Sequence, residues 1–137
     1  MIETEFDQNR DVMLLKLKGI VTVPELVESY EQALADKRFR QGMNAVWDLT
    51  YLQLRNIPLK DVQSLPGQLG RFMAQRGKTS AALVTNRKTD FQLLRIYLTV
   101  LRLIGKNVRI RLFNNVEAAY SWLQEQEQEQ KQKKEAT

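Results

Sequence analysis

The side chains that could perform chemistry in this chain are few. Its 137 residues include no cysteine and no histidine. Histidine is the usual general base near neutral pH, and histidine and cysteine are the preferred donors for zinc and most transition metals. Their absence excludes disulfides, thiolate nucleophiles and a Ser-His-Asp triad. Carboxylates could still hold Mg²⁺ or Ca²⁺ or act as acid and base, and hydroxyls are further candidates.

Asp48 is the carboxylate best placed for binding. It lies at the predicted carboxyl end of a buried strand, where open α/β sheets bind ligands. It could hold Mg²⁺ or a ligand hydroxyl, or only accept hydrogen bonds from N–H groups of the next turn. The second interpretation is favoured because no other carboxylate is near it in sequence. The candidate hydroxyls also lack an activating base beside them; they are Thr50, Tyr51, Ser64, Thr79 and Ser80. We therefore predict no metal site, no cofactor and no catalytic residue.

The segment Asp90–Ile104 predicts a helix with a very wide apolar face. A helix that lies on a sheet needs an apolar arc of only about 100°. Leaving the remaining leucines in water would cost roughly 1.5–3 kcal/mol each. A second contact is therefore expected, with a neighbouring helix, with a second copy in a homodimer, or with an apolar ligand. The polar positions form one narrow stripe of Lys88, Gln92, Arg95, Thr99, Arg102 and Lys106.

A helical segment over 58–76 is the natural cover for that apolar face. Pro66, Gly67 and Gly70 interrupt it, which predicts two helical pieces with a break after Ser64 and a hinge between them. With the helix over 90–104 it could enclose a pocket, although the same side chains would serve as ordinary core. Arg95 and Arg102 are the candidate contacts for an anionic group. The predicted ligand-binding residues are Asp48, Leu65, Leu69, Phe72, Met73, Leu94, Leu98 and Leu101.

Positive charge is concentrated in residues 71–111. This segment has ten basic residues and one acidic residue, Asp90, within a chain of net charge +5. Such a segment could contact nucleic acid or anionic lipid. The sequence has no helix-turn-helix pattern and no RNA-binding aromatic motif, so a solvated surface is favoured over nucleic-acid binding.

Periodicity predicts nine elements in the order β-β-α-β-α-β-α-β-α. Strands separated by helices imply parallel pairing, and the first two strands form an antiparallel hairpin. The fold class is therefore α/β, with a five-stranded mixed sheet. The predicted strands are 2–8, 12–17, 43–49, 80–85 and 108–113. Besides the helical segments over 58–76 and 90–104, two helices are predicted to begin after the caps Thr22 and Asn115.

The chain is expected to form one domain over residues 1–124. Residues 125–137 are almost entirely Gln, Glu and Lys, so they predict a frayed helix or a disordered tail. The polar N-terminus shows no secretion signal, and the longest apolar stretch, Leu93–Ile104, is too short to span a bilayer. We expect a cytoplasmic protein of bacterial type without a transmembrane segment.

Four segments in order resemble the SpoIIAA-like branch of the STAS domain superfamily. They are the helix start from Gly19 through Thr22 to Leu26, the strand end Val46–Leu49, the strand Ala81–Val84, and the closing strand and helix Phe113–Leu123. The resemblance covers residues 1 to about 124. It implies the same α/β fold.

The resemblance also implies a non-enzymatic regulatory or protein-interaction module. STAS proteins are switched by phosphorylation of a Ser at the start of the second helix, but Arg55–Asp61 has no Ser or Thr at that position. The branch is similar in fold to lipid-carrying CRAL-TRIO domains. The first hypothesis is a regulatory module that acts with a protein partner or as a homodimer through helix 90–104. The second is a carrier or sensor of a lipid-like ligand between helices 58–76 and 90–104. Nucleic-acid binding is the less favoured third hypothesis.

Overall fold

The strands form where apolar and polar residues alternate or where an apolar run is buried on both faces. Two residues lie outside the described residues. They are Lys106, which belongs to the predicted polar stripe and basic segment, and Thr137, which belongs to the predicted tail. The computed structural model describes residues 1–105 and 107–136, in which the strands are β1 (Ile2–Asp7), β2 (Val12–Gly19), β3 (Asn44–Leu52), β4 (Thr79–Val84) and β5 (Val108–Phe113).

The spatial order of the strands follows the chain, β1-β2-β3-β4-β5. β1 is antiparallel to β2, with Ile2 opposite Leu17. The other neighbours are parallel, and Trp47 lies between Leu15 and Leu83 across the centre of the sheet. The predicted five-stranded mixed sheet with an N-terminal hairpin is confirmed.

Helices cover both faces of the sheet. Because the strand order advances in one direction and parallel crossovers are right-handed, the connecting helices all lie on one face. The last helix packs on the other face, against β3, β4 and β5. No helix in the described part of the chain is both long and apolar enough to cross a membrane. The helices are α1 (Val23–Ala35), α2 (Leu59–Leu69), α3 (Met73–Arg76), α4 (Lys88–Leu101) and α5 (Val116–Ala136).

The predicted caps begin their helices. The backbone N–H of Glu25 donates to Thr22 Oγ1 at 3.2 Å, and the N–H of Ala118 donates to Asn115 Oδ1 at 2.8 Å. Each cap satisfies one of the N–H groups that the first helical turn leaves without a partner. α1 ends at Ala35.

The prediction for residues 58–76 was wrong about where the helix breaks. α2 continues through Pro66 to Leu69, and a 3₁₀ turn, Gly70–Phe72, separates it from α3. Ser64 lies within α2, where its hydroxyl donates to the carbonyl of Asp61 at 2.7 Å. Burial of Val62 and Leu69 holds the helix together across the proline, which removes only one backbone hydrogen bond.

Two other boundaries differ from the prediction. β3 extends to Leu52 instead of ending at Leu49, with an irregular register opposite Lys16 and Lys18. α5 runs on through the polar tail to Ala136, and Glu127 and Lys131 form an i,i+4 ion pair at 3.8 Å. The division of the chain at residue 124 and the fraying of the tail stay predictions.

Candidate ligand-binding site

A cavity of about 140 Å³ lies between the sheet and the helices α1, α2 and α4. Its wall is formed almost entirely by carbon atoms of leucine, isoleucine, valine and aromatic side chains. Alternate residues of four strands face it, because successive side chains of a strand point to opposite faces. These strand residues are Leu17, Trp47, Leu49, Leu52, Ala81, Leu83, Val108 and Ile110.

Helical spacing supplies the opposite wall. α2 contributes residues three and four positions apart, which lie on one face of a helix. α4 contributes a second row with the same spacing, and the 3₁₀ turn after it, Arg102–Ile104, adds Ile104. The lining residues of the two rows are Val62, Leu65 and Leu69 from α2 and Leu94, Tyr97 and Leu101 from α4.

The structure brings most of the predicted ligand-binding residues to this cavity. Leu65, Leu69, Met73, Leu94 and Leu101 line it. Their role in ligand binding stays a prediction, but the predicted enclosure between the two helical segments exists.

Two further predicted residues have a different position. Phe72 and Leu98 are buried in the same apolar cluster but do not line the cavity. The ring of Phe72 packs edge-on against the ring of Tyr30, with centroids 5.4 Å apart. Both residues therefore support the wall from behind.

Asp48 lies away from the cavity. It is inside β3 rather than at its end, and its side chain shares a sheet face with Val46, which packs under α5. Its Oδ1 accepts a hydrogen bond from the backbone N–H of Thr50 at 3.1 Å. This contact matches the simpler of the two interpretations of Asp48, a carboxylate that satisfies a local N–H group.

Arg95 and Arg102 also lie outside the cavity. Both are exposed on the polar stripe of α4, with Gln92 and Thr99. Most of the other apolar side chains of α4 face the sheet and α2, which provides a second contact for part of its wide apolar face, while Ile96 stays exposed. That either arginine contacts an anion stays a prediction.

Arg76 is the charged residue that lines the cavity. Its side chain is only 2% exposed. Nη2 donates to the carbonyl of Met43 at 3.3 Å and to Thr79 Oγ1 at 3.0 Å. Arg76 ends α3, and Gly77 follows with φ +76°, a left-handed conformation that glycine adopts without strain. This turn directs the guanidinium under the amino ends of β3 and β4.

Tyr30 faces Arg76 from α1. Its ring stacks on Trp47 with centroids 5.6 Å apart, and the Arg76 guanidinium carbon lies 5.9 Å from its centroid. The Tyr30 hydroxyl and Arg76 Nε are buried and have no hydrogen-bond partner among the described residues. Burial raises the pKa of the Tyr30 hydroxyl, and the positive charge of Arg76 partly opposes this shift. The hydroxyl therefore stays protonated at neutral pH.

Sequence reasoning missed both residues. Arg76 was counted in a basic segment expected to be solvated, which is wrong for this residue because it is buried. One signal was available for Tyr30, since it occupies the apolar face of α1 with Leu26 and Leu34. No local signal marked Arg76, whose burial depends on the path of α3 beneath the sheet.

The other basic side chains of residues 71–111 do not share one surface. Arg109 contacts Gln126 and Glu129 of α5, on the face opposite α4. Arg71 lies over the ring of Phe72. Arg95 and Arg102 lie on the outer side of α4. These four arginines therefore do not form one shared basic surface.

An exposed apolar pair lies on α4 and the turn after it. Ile96 is 67% exposed and Leu103 is 73% exposed. They are seven residues apart, which is two helical turns, so they project on the same side. The half-buried Leu93 and Val100 lie between and beside them at helical spacing.

Within the described residues there is no group of three or more acidic side chains that could hold a metal ion.

No protein-family model and no curated protein matches the sequence. Among solved structures, the chain is similar to an uncharacterised protein of the DUF3478 family with a SpoIIAA-like fold from Shewanella loihica PV-4. The TM-score is 0.58 at 19% identity, covering 90% of this chain and 92% of that one.

The chain has a SpoIIAA-like fold. In this SpoIIAA-like fold, the segment before the second helix is a 3₁₀ turn, Leu54–Asn56, followed by Pro58 at the cap of α2. No side chain between Arg55 and Asp61 carries a hydroxyl. A likeness at this level of identity shows the fold, and the function has to be argued from the cavity.

Proposed function

We propose that this protein is a non-enzymatic regulatory module that binds a small apolar or amphipathic ligand between the sheet and the helices α2 and α4. The 140 Å³ cavity carries this proposal. An apolar cavity of about 150 Å³ in a protein core is large enough to hold benzene. The ligand would therefore be about the size of one aromatic ring or a short alkyl chain.

The non-enzymatic part of the proposal rests on the residues that surround the cavity. The sequence provides no histidine or cysteine, and the lining residues include no carboxylate or hydroxyl beside a base. A ligand in such a site is held by apolar contact, and no group is placed to transform it.

The regulatory part rests on the helices that cover the cavity. Leu65 and Leu69 of α2 and Met73 of α3 line it on either side of the 3₁₀ turn Gly70–Phe72. A ligand that contacts all three side chains would stabilise one arrangement of this interrupted segment over others. The exposed surface of α2 and α3 would then differ between the ligand-free and the ligand-bound protein, and a protein partner would recognise one of the two forms.

Methyl NMR with toluene tests ligand binding directly. Toluene should shift the methyl signals of Leu65, Leu94 and Leu101, which line the cavity. Leu123 is the matched control, because it is 1% exposed on the other face of the sheet and should not respond. Absence of shifts up to the solubility limit of toluene, or equal shifts at Leu123, would refute the proposal.

The exposed pair on α4 supports a second candidate function, self-association as a homodimer. Ile96 and Leu103 are large apolar side chains on one side of a helix with no partner among the described residues. A second copy packed against this stripe would remove them from water. Because the cavity lies on the inner side of α4, a dimer and a ligand are compatible.

Sedimentation velocity tests self-association. The wild-type chain should sediment as a dimer at micromolar concentration, and Ile96→Lys with Leu103→Lys should sediment as a monomer. Leu59→Lys is the control, since Leu59 is an equally large exposed side chain on α2, and it should leave the dimer intact. A wild-type monomer over the whole concentration range would rule out the homodimer.

A further inference from the structure

Among the cavity-lining side chains that carry N–H or O–H groups, Arg76 and Tyr30 are the most deeply buried, and Trp47 and Tyr97 are the others. Arg76 and Tyr30 are 2% and 1% exposed. Neither Arg76 Nε–H nor the Tyr30 O–H donates to an acceptor with good geometry among the described residues, although the Arg76 guanidinium lies close to the Tyr30 oxygen. A buried donor without an acceptor costs free energy, so folded proteins rarely keep two of them side by side. Both side chains belong to the wall of the space that the proposed ligand would fill, so a ligand there would lie beside them.

The charge of Arg76 also lacks a partner. A guanidinium remains protonated in proteins, so Arg76 is a buried cation. The oxygens that it contacts, the carbonyl of Met43 and the hydroxyl of Thr79, are neutral. In the part of the chain that the structure describes, no carboxylate forms an ion pair with it. An anion is the partner that would compensate for burying this charge.

Building on the proposed ligand-binding function, we propose that the ligand is a small amphipathic carboxylate. Its apolar part fills the cavity, and its carboxylate accepts hydrogen bonds from Arg76 Nε and from the Tyr30 hydroxyl. Guanidinium and carboxylate groups match in geometry and charge, and such charge-assisted bonds are about twice as strong as neutral ones. The raised pKa of Tyr30 supports this role, since a protonated hydroxyl donates to the anion.

The volume of the cavity limits the class of carboxylate. About 140 Å³ accommodates one aromatic ring or a short chain and excludes a long-chain fatty acid in this arrangement of the helices. Aromatic and short branched or linear carboxylates fit both the volume and the two donors. Arg95 and Arg102, on the outer side of α4, have no part in this recognition.

Calorimetric titration with three ring compounds tests the inference. Benzoate carries the carboxylate, benzamide is its neutral counterpart, and toluene has no polar group. Benzoate should bind roughly 10- to 100-fold more tightly than benzamide, which corresponds to a hydrogen bond with a charged partner. In the wild-type protein, benzoate should also shift the NMR signal of the Arg76 Nε–H, a response that a purely structural arginine would not show.

Two variants separate the head group from the apolar pocket. Arg76→Met keeps the length of the side chain without its charge, so it should abolish the preference for benzoate over benzamide while toluene still binds. Tyr30→Phe removes only the hydroxyl and should lower benzoate affinity by roughly 3- to 10-fold, equivalent to one hydrogen bond. Tyr30→Phe and the Arg76 Nε–H signal remain informative if Arg76→Met does not fold.

The outcomes distinguish this inference from the function on which it rests. If toluene binds but benzoate and benzamide bind equally, the carboxylate is overturned and the apolar site stands. If Arg76→Met binds benzoate as well as the wild type does, the head group is not at Arg76 and the inference fails. If none of the three compounds binds the wild-type protein, the proposed function fails with it.

Discussion

The two faces of the sheet are packed in different ways. Under α5, small and branched residues pack closely: Val46, Ala82 and Ala119 have no exposed surface, and Phe113 packs on Trp122 with ring centroids 5.5 Å apart. Under α1, α2 and α4, larger side chains enclose about 140 Å³ and two buried polar groups. A single helix can follow a twisted sheet closely, whereas three helices that meet over it leave space where they diverge.

This difference assigns separate roles to the two faces. The face under α5 contributes stability through dense apolar contact. The face under α1, α2 and α4 contributes stability less efficiently and contains the cavity in which we propose that a ligand binds. The proposed binding site therefore lies where the core is less completely filled.

Truncation of a leucine on each face should show the largest effect. Leu123→Ala should lower the free energy of unfolding by about 3 kcal/mol, within the range of 2–5 for buried leucines, because it opens a cavity in a dense region. Leu65→Ala should cost less, since Leu65 is half-buried and already lies beside a cavity. Urea denaturation monitored by tryptophan fluorescence measures both. An equal loss at the two positions would contradict the distinction between the faces.

Enlargement of adjacent alanines on β4 gives a sharper comparison. Ala81 lines the cavity, and Ala82 packs under α5. Ala82→Leu should overpack the dense face and cost about 1–3 kcal/mol. Ala81→Leu should grow into the cavity, leave stability unchanged or raised by up to about 2 kcal/mol from the added apolar burial, and block toluene binding. Thermal unfolding and toluene titration of both variants measure these effects. If Ala81→Leu destabilises the protein as much as Ala82→Leu does, the cavity cannot accept a larger side chain.

Loss of the α5 cap tests how far the dense face depends on its single helix. Asn115→Ala removes the acceptor for the N–H of Ala118 and should lower stability by about 1 kcal/mol. Asn114→Ala is the comparison, because Asn114 Oδ1 accepts from Asn115 Nδ2 at 3.0 Å and not from the first turn of α5; it should lower stability by less than Asn115→Ala does. Urea denaturation distinguishes the two, and equal losses would show that the cap is not the cause.

The smallest effect is expected at the surface end of α1, on the cavity side. The Arg38 guanidinium donates to Asp36 at 3.0 and 2.9 Å and, with the Arg38 backbone N–H, lowers the pKa of Asp36 from 3.8 to about 2. A carboxyl whose pKa is lower in the folded state stabilises the fold above its unfolded pKa, and this contribution is lost as the pH falls towards about 2.

Asp36→Asn should therefore be less stable than the wild type at pH 6 and should converge with it between about pH 4 and pH 2. Arg38→Gln, which removes the donor, should show the same convergence. Thermal unfolding across this pH range measures both variants. Parallel stability curves for wild type and Asp36→Asn would show that this pair does not contribute.

Local patterns predicted the elements that rely on local rules. The alternation in residues 2–7, the caps Thr22 and Asn115, and the order of strands and helices all appear in the structure. Errors arose where burial outweighs propensity, since α2 passes through Pro66 and β3 runs on to Leu52. The apolar lining of the cavity was predictable in part, because Leu65, Leu69, Leu94 and Leu101 repeat at helical spacing.

The sequence by itself determined the fold class and limited the chemistry. Strand and helix periods are set by backbone geometry within a few residues, and the absence of histidine and cysteine needs no structure to be read. The tertiary structure alone decided which polar groups meet the cavity. Arg76 and Tyr30 are 46 residues apart in the chain, and only the packing of α1 and α3 against the same sheet face brings the guanidinium to within 5.9 Å of the ring. Burial also depends on every neighbour at once, so no local pattern distinguishes a buried arginine from a solvated one.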